Sequence, residues 1–354
     1  SKYDEISDLY GKNLTYYEGT SQEVLSKIRL ELNYSTVKNI DSLKDRLYTA
    51  KTDSILVSDL IKEDIEEKYT DFSERTRVLK TIDITKDVED ITKKVSIKNT
   101  SFNVLISGMD SYGTINKTTR NDVNMIATVN PNTNKVLLTS IPRDYYVQLH
   151  GKTGYKDKLT HAGIYGINTV VQTIEDLFGI DINYYVRVNF TTVESLVNTI
   201  GPIEIYSDKA MSLDGCKYVV GTNTVNGKCA LRFARERHSY VEGDNHRIKN
   251  QQEVIKGIFN KLSKSAMVVT DYTSILDSLD GKFATNMDMK DITAFIKYEL
   301  EDITKYEILD TQVTGTGSME LTYSYPHQKL YVMFPSEQSV ESAKEYINKI
   351  SNEK

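Results

Sequence analysis

The stretch FNVLISGMDSYGTINKTTRNDVNMIATVNPNTNKVLLTSIPRD, residues 102–144, decides the fold of this chain. It contains three short apolar segments, Phe102–Ser107, Val123–Val129 and Val136–Ile141, each of the length and β-branched character of one strand. The sequence Asn130-Pro131-Asn132 between the second and third segments is typical of a turn. Three strands in such close succession predict the start of a β-sheet.

Segments with helical spacing follow this sheet region. Apolar residues recur every three or four positions across residues 167–178, and Gly179 is then a helix stop signal. Another apolar stripe begins at Asp244, and Thr191 and Glu194 have the spacing of a capping box before a shorter helix. Strands that alternate with helices indicate an α/β domain.

Composition changes near residue 100. The first hundred residues contain two of the 18 glycines and none of the five prolines. Within them, Ser21–Glu31 has helical spacing, and Asp53–Leu60 and Arg77–Ile84 are predicted to be strands. We therefore predict a small α+β accessory domain at residues 1–97 and a larger domain at residues 98–354.

Composition and charge exclude several classes of protein. The chain is 39% hydrophobic and 27% charged, as in ordinary globular proteins, and no run of apolar residues is long enough to span a membrane. A net charge of -6 argues against general nucleic-acid binding. The GxxxxGKS/T phosphate loop and the GxSxG, HExxH and paired CxxC motifs are absent. We expect an export or anchoring segment upstream of Ser1.

Arginine is unevenly distributed in this lysine-rich chain. There are 33 lysines and 11 arginines, yet the stretch from Arg232 to Arg247 has four arginines and no lysine. Arginine is preferred where a planar, two-pronged group must bind phosphate or carboxylate. Arg235 and Arg237 would share one face of a strand but diverge on a helix, whereas Arg247 and Gln251 share a helical face. The stretch favours anion binding over a chance surface patch.

Cys216 and Cys229 enclose a short loop rich in Gly and Asn. Two cysteines without a CxxC pair do not make a zinc site. A disulfide between them would imply an oxidising compartment, and two buried free thiols are the alternative.

Charged residues follow the predicted strands. Asp110 comes after the first strand, Arg120 and Asp122 lead into the second, and Arg143-Asp144 follows the third. Strand ends of this kind form the binding sites of α/β sheets. Two carboxylates can hold Mg²⁺ or Mn²⁺ while phosphate oxygens complete the shell, and arginines neutralise the remaining charge. Each place also has a simpler interpretation as a turn, a helix cap or a solvated ion pair.

Five motifs in this order closely resemble the LytR-CpsA-Psr family. They are Phe102-Asn-Val-Leu-Ile-Ser-Gly-Met-Asp110, Arg120-Asn-Asp122, Ser140-Ile-Pro-Arg-Asp144, Ala230-Leu-Arg-Phe-Ala-Arg-Glu-Arg237 and Gly243-Asp-x-x-Arg247-x-x-x-Gln251-Gln252. The resemblance covers about residues 100–265 and is greatest to CpsA-type capsule members. It implies a central mixed β-sheet flanked by helices, with an accessory domain that only some members carry.

The resemblance also implies an activity. Family members are membrane-anchored enzymes outside the cell membrane of mainly Gram-positive bacteria. They transfer a glycopolymer, which is capsular polysaccharide in CpsA-type members, from a polyprenyl-pyrophosphate carrier to peptidoglycan, leaving a phosphodiester bond. The implied partners are the polyprenyl-pyrophosphate-linked polysaccharide, the peptidoglycan acceptor and the membrane, reached through an N-terminal anchor, with no nucleic acid.

The matching motif positions carry the family's site residues. Asp110 and Asp122 fall on its metal ligands, for Mg²⁺ or Mn²⁺. The positions that bind pyrophosphate are Arg120, Arg143, Arg235, Arg237 and Arg247, with Gln251 as a polar contact. The residues implied in catalysis are Arg143, Arg235, Arg237 and Asp244, the last of which orients arginines or activates the acceptor hydroxyl. Asn250 departs from the pattern, because many members have a further arginine there.

Two other functions would use the same residues. A non-catalytic polyprenyl-phosphate binding or regulatory protein would need the arginines but not the metal ligands. A prenyl pyrophosphatase would use water as the acceptor. We predict the metal-dependent phosphotransferase, because fixed arginines stabilise the charge that develops in its transition state.

Overall fold

A computed structural model of the chain forms two compact units. It describes residues 3–18, 20, 22–28, 30–82, 89–109, 115, 118–237, 239–240, 244–264, 275, 278–279, 281–293 and 306–354. At residues 22–23, 59–60, 63, 67, 244–245 and 263–264 it describes the backbone alone.

The first unit comprises Ser1–Glu89 and Met319–Tyr331. After a 3₁₀ helix at Ile6–Leu9, its elements are β1 (Asn13–Tyr17), α1 (Gln22–Ser26), β2 (Asn33–Val37), α2 (Ile40–Tyr48), β3 (Ser54–Leu56), α3 (Asp59–Lys68) and α4 (Phe72–Arg75). The three strands are parallel, in the order β2-β1-β3.

Two of the predicted strands in this unit differ from the structure. The strand predicted at Asp53–Leu60 is only three residues long, because Ser58 caps α3 and accepts a hydrogen bond from Ile61 N at 3.3 Å. The strand predicted at Arg77–Ile84 is wrong over its described part, residues 77–82. Val78 is exposed there, and an extended segment needs a neighbouring strand to satisfy its backbone.

The second unit, Asp90–Ser318 and Val332–Lys354, is built on a six-stranded sheet. Its strands lie in the order β14 (Ala284–Thr285), β9 (Tyr184–Val188), β4 (Phe102–Gly108), β5 (Val123–Asn130), β6 (Lys135–Ile141) and β15 (Glu307–Gln312). β4 is parallel to β9, and β6 is parallel to β15, whereas the remaining pairs are antiparallel. The predicted central mixed sheet is confirmed.

Helices flank this sheet. They are a 3₁₀ helix at Leu159–Tyr165, α5 (Ile167–Phe178), α6 (Phe190–Ile200), α7 (Gly227–Arg235), α8 (Asp244–Lys264) and α9 (Glu337–Asn352). Short strand pairs complete the elements: β7 (Tyr146–Val147) with β8 (Asp157–Lys158), β10 (Ile203–Ser207) with β13 (Gly221–Val225), β11 (Met211–Leu213) with β12 (Cys216–Tyr218), and β16 (Gly315–Leu321) with β17 (Lys329–Pro335).

The ends of α5 and α6 test two helix signals that were predicted from the sequence. Gly179 ends α5 in the left-handed conformation, at φ 62°, as its stop signal predicts. The capping box predicted at Thr191 is wrong, because the box lies two residues earlier. Asn189 Oδ1 accepts from Thr192 N at 3.0 Å, and Thr192 Oγ1 accepts from Asn189 N at 3.1 Å.

The sheet is buried on both faces. Leu105 and Ile126 point to the face that packs on α5 and α9, and Met125 points to the opposite face with Ile255 and Phe259 of α8. This packing places the middle of α8 against the sheet. Among the described helices, none has the length and apolar character to cross a membrane.

Candidate functional site

Backbone hydrogen bonds join the strand ends that carry the predicted site. Asp122 N donates to Gly108 O, at the end of β4, at 2.8 Å. Asn121 N donates to Thr160 O at 3.0 Å, and Thr160 N donates to Arg143 O at 2.8 Å. Because the segments before β5 and after β6 both bind Thr160, Asp122 and Arg143 are held together at one edge of the sheet.

The Asp122 carboxylate is the centre of this edge. Its Oδ1 accepts hydrogen bonds from Arg143 Nη1 at 3.0 Å and from Thr160 Oγ1 at 3.1 Å. Only 6% of the Asp122 side chain and 14% of the Arg143 side chain are exposed. A predicted metal ligand and a predicted pyrophosphate-binding arginine thus form one buried ion pair.

Three arginines surround that carboxylate. Burial alone would raise the pKa of Asp122, but the positive charges of Arg143, Arg120 and Arg247 hold it below its ordinary value. Asp122 is therefore ionised at neutral pH, and three guanidinium groups lie within electrostatic range of its carboxylate. Several guanidinium groups close together at a largely buried edge suit a polyanion such as a pyrophosphate.

Arg247 and Gln251 come from the first turns of α8. They share one helical face, as their spacing predicts, and Arg247 is 6% exposed. The helix is held to the sheet by Gln252, whose Nε2 donates to Thr311 O of β15 at 3.0 Å. The burial of Arg247 is compatible with its charge because Asp122 lies within electrostatic range.

The remaining arginines of the cluster lie around the end of α7. Arg235 is the last residue of α7 and Arg237 follows it, so the two occupy neither one strand nor one helix. Arg235 Cζ lies 4.1 Å from the centre of the Phe190 ring, in cation–π contact. Arg232 instead pairs with Asp214 at 3.0 Å. Substrate binding by Arg235 and Arg237 stays a prediction.

Asp144 and Lys158 orient the ion pair from outside it. Asp144 binds Lys158 Nζ at 2.5 Å and lies 3.8 Å from Arg143 Nε. Both Lys158 and Thr160 were missed in the sequence, because they reach the site from β8 and the 3₁₀ helix and not from a strand end of the sheet. In the sequence, the one indication of Lys158 and Thr160 is that these two polar residues flank the apolar Leu159 in a short segment between two motifs.

Part of the predicted metal site is not described. Asp110 lies outside the described residues, and Asp244, the first residue of α8, is described by its backbone alone. The described residues contain no group of three or more potential metal-ligating side chains. Asp122 nevertheless fits a divalent cation, because it is ionised and Mg²⁺ characteristically takes one or two carboxylates together with phosphate oxygens.

Comparison with known protein families identifies the family of this chain. The model of the LytR_cpsA_psr family matches residues 68–345, most of the chain. The chain belongs to the LytR-CpsA-Psr family. The match includes every predicted site residue.

Relatives in the LytR-CpsA-Psr family include two enzymes named polyisoprenyl-teichoic acid–peptidoglycan teichoic acid transferase TagU. The protein from Enterococcus faecalis is 32% identical over 255 residues, which cover 70% of this chain and 82% of the relative. The protein from Bacillus subtilis is 34% identical over 231 residues, which cover 64% of this chain and 72% of the relative.

Solved structures share the LytR-CpsA-Psr fold. The crystal structure of B. subtilis TagU has a TM-score of 0.56 at 28% identity and covers 72% of this chain and 99% of its own. A structure described as TagT bound to LIIa-WTA has a TM-score of 0.59 at 25% identity and covers 74% of this chain and 94% of its own.

A glycine of this LytR-CpsA-Psr protein sets the position of Asp122. A Cβ at Gly163 would collide with Thr119 O and would lie 3.0 Å from Asn121 Cβ. We expect Gly163→Ala to shift this backbone, to lower the free energy of unfolding by about 1–3 kcal/mol and to reduce turnover. Urea denaturation measures the first effect, and a loss below about 0.5 kcal/mol would contradict the packing argument.

The Asp122 carboxylate also predicts a pH dependence of stability in this LytR-CpsA-Psr protein. Its pKa in the folded state is lower than the unfolded value of about 3.9. Its ionisation therefore contributes stability that is complete above that value and is lost as the pH falls through the folded-state pKa. Unfolding free energies measured from pH 7 to pH 2 should fall more steeply for the wild type than for Asp122→Asn. Parallel curves would show that Asp122 has no depressed pKa.

A disulfide joins β12 to α7 in this family member. It links Cys216 to Cys229, whose Cα atoms are 5.5 Å apart and which are separated by 13 positions. Closing a loop of that size contributes about 3 kcal/mol in the chain-entropy account. We expect the double variant Cys216→Ser/Cys229→Ser to lose about that much stability in denaturant titrations. Dithiothreitol should lower the wild-type midpoint equally but leave the variant unchanged, and an unaltered wild-type midpoint would count against the contribution.

Proposed function

We propose that this protein is a phosphotransferase that moves a glycopolymer from a polyprenyl-pyrophosphate carrier to peptidoglycan. One observation carries the proposal: the buried, ionised Asp122 lies among Arg143, Arg120 and Arg247 at the end of the central sheet. The TagU relatives, named as transferases between a polyisoprenyl-linked polymer and peptidoglycan, support the same class of reaction.

The arginines would hold the pyrophosphate. Guanidinium groups bind phosphate oxygens in pairs, and Asp144 restrains Arg143 so that little reorganisation is needed during the reaction. A bound Mg²⁺ or Mn²⁺, held by Asp122 and Asp110, would neutralise further phosphate charge. Arg235, Arg237 and Gln251 are the further contacts that we propose.

The proposed reaction is a single displacement at phosphorus. The oxygen of an acceptor sugar hydroxyl forms a bond to the polymer-bearing phosphorus, and the bridging P–O bond breaks. Polyprenyl monophosphate leaves with the electron pair of that bond. The hydroxyl proton passes to a base, for which Asp244 is our candidate. The product is a phosphodiester between the polymer and peptidoglycan.

Capsular polysaccharide is our proposal for the polymer, supported by the resemblance of the motifs to CpsA-type members. We further propose that the protein acts outside the cell membrane and is anchored there through an N-terminal segment. The Cys216–Cys229 disulfide supports this location, since disulfides persist in oxidising compartments.

A reconstituted reaction tests the proposal. Purified protein is mixed with lipid-linked capsular polymer, peptidoglycan and Mg²⁺, and the polymer that becomes attached to peptidoglycan is measured. Attachment that stops with a chelator is the expected result. Release of polyprenyl monophosphate and of polymer that ends in a phosphate, without attachment to peptidoglycan, would indicate a pyrophosphatase, and lipid binding without any turnover would indicate a regulatory protein. Either outcome would overturn the transferase.

A further inference from the structure

A buried histidine–aspartate pair lies close in the chain to Lys158 and Thr160, and no step of the proposed reaction uses it. His161 Nδ1 is 2.7 Å from Asp157 Oδ1, and the two residues are 2% and 0% exposed. A carboxylate accepts hydrogen bonds, so the ring nitrogen is the donor. Burying a carboxylate is costly unless it is hydrogen-bonded, and the imidazole therefore stabilises Asp157 in this position.

This buried pair closes the short segment of residues 157–161. Asp157 is the first residue of β8, and His161 lies in the 3₁₀ helix that follows. Asp157 Oδ1 also accepts a hydrogen bond from Lys158 N at 2.8 Å. One carboxylate oxygen thus binds the backbone at the start of the segment and the side chain at its end. Local side-chain hydrogen bonds of this kind hold a backbone in one conformation.

The residues that the buried pair encloses are connected to the site. Lys158 Nζ binds Asp144 Oδ1 at 2.5 Å, and Asp144 Oδ2 lies 3.8 Å from Arg143 Nε. Thr160 Oγ1 donates to Asp122 Oδ1 at 3.1 Å, and Thr160 N donates to Arg143 O at 2.8 Å. Two alternate residues of one short segment therefore reach both members of the ion pair between Asp122 and Arg143.

We propose that His161 and Asp157 are positioning residues for the transfer reaction. They act through Lys158 and Thr160, which hold Arg143 in place against Asp122. This inference deepens the proposed function and rests on it for the reaction. Groups that are fixed before the substrate arrives stabilise a transition state without reorganising as charge develops. A looser segment should therefore lower kcat more than it weakens substrate binding.

Two replacements of His161 by amides test this role. The amide nitrogen of Asn can take the place of the ring Nδ1 and donate to Asp157, whereas that of Gln reaches the place of Nε2. We expect His161→Gln to lower the kcat of polymer transfer about tenfold, while KM changes less than about threefold. His161→Asn should keep at least about half of the wild-type kcat. A residue that merely supported the fold would change the melting temperature and leave the kcat of the folded enzyme unaltered.

A second histidine–aspartate pair provides the matched control. His150 Nδ1 lies 2.8 Å from Asp176 Oδ2, but these side chains are 42% and 58% exposed. His150→Gln should therefore have the kcat and KM of the wild type. If His161→Gln does not fold, Lys158→Met takes its place, because it removes the contact with Asp144 and does not alter the buried pair. Lys158→Met should show the same fall in kcat.

Crystal structures of the variants give a readout that needs no activity. The hydrogen bond from Arg143 Nη1 to Asp122 Oδ1, 3.0 Å long in the wild type, should be kept in His161→Asn and lost in His161→Gln. The proposal is overturned if folded His161→Gln, or its substitute Lys158→Met, has the wild-type kcat, or if His161→Asn loses as much kcat as His161→Gln. Loss of this bond in His161→Gln, with no polymer transfer by the wild type, would reject the proposed function alone. Transfer by the wild type, with the bond unchanged in His161→Gln, would reject the positioning role alone.

Discussion

Arg143→Ala is expected to lower the rate of polymer transfer at least about a hundredfold, since removing one fixed donor to developing charge has effects of this order. Arg143 is held by Asp122 at 3.0 Å and restrained by Asp144, so its guanidinium is positioned before the substrate arrives. Alanine removes both the guanidinium charge and the hydrogen bond to Asp122. Steady-state transfer kinetics should show a lower kcat together with a higher KM.

Two further variants are compared with Arg143→Ala. Arg143→Lys keeps the charge but loses the planar fork, so it should recover only part of the rate. Arg232→Ala is the matched control, because Arg232 belongs to the arginine-rich stretch but pairs with Asp214 and is 38% exposed. Its rate should remain close to that of the wild type. Wild-type kinetics in Arg143→Ala would reject the assignment of Arg143 to the site.

Asp122→Asn is expected to have the second large effect, with a different kinetic signature. The amide keeps the shape of the side chain and an acceptor for Arg143 and Thr160, but the negative charge is lost. The three arginines would then attract pyrophosphate at least as strongly as before, so KM should stay the same or fall. We expect kcat to fall at least about a hundredfold, because the carboxylate can no longer help to hold a divalent cation.

Magnesium titrations distinguish this effect from simple misfolding. The wild type should be stimulated by Mg²⁺, whereas Asp122→Asn should show little stimulation at any concentration. Asp214→Asn removes a carboxylate that is 65% exposed and pairs with Arg232, and it should behave like the wild type. An equal magnesium response in Asp122→Asn and the wild type would remove Asp122 from the metal site.

Much of the larger unit could be predicted from local patterns. The segments at residues 102–107, 123–129 and 136–141 form strands, because β-branched apolar runs of that length fit the interior of a sheet that is buried on both faces. The helix at residues 167–178 ends at Gly179 because a glycine readily takes the left-handed conformation there. These outcomes depend on neighbours close in sequence.

Predictions failed where a distant contact decided the outcome. Residues 77–82 have β-prone side chains but form no strand, because strand formation requires a partner that the local sequence does not specify. α7 ends at Arg235, before Arg237. The two arginines therefore share neither the face of one strand nor one helix.

The sequence by itself determined the types of residue at the site and the order of the motifs, and this was enough to predict the fold class and the family. Only the tertiary structure decided which of these residues meet. Thr160 lies 38 positions from Asp122, yet it binds both the Asp122 carboxylate and the backbone of Arg143. Burial and the summed field of three arginines, which arise from packing between distant segments, keep that carboxylate ionised.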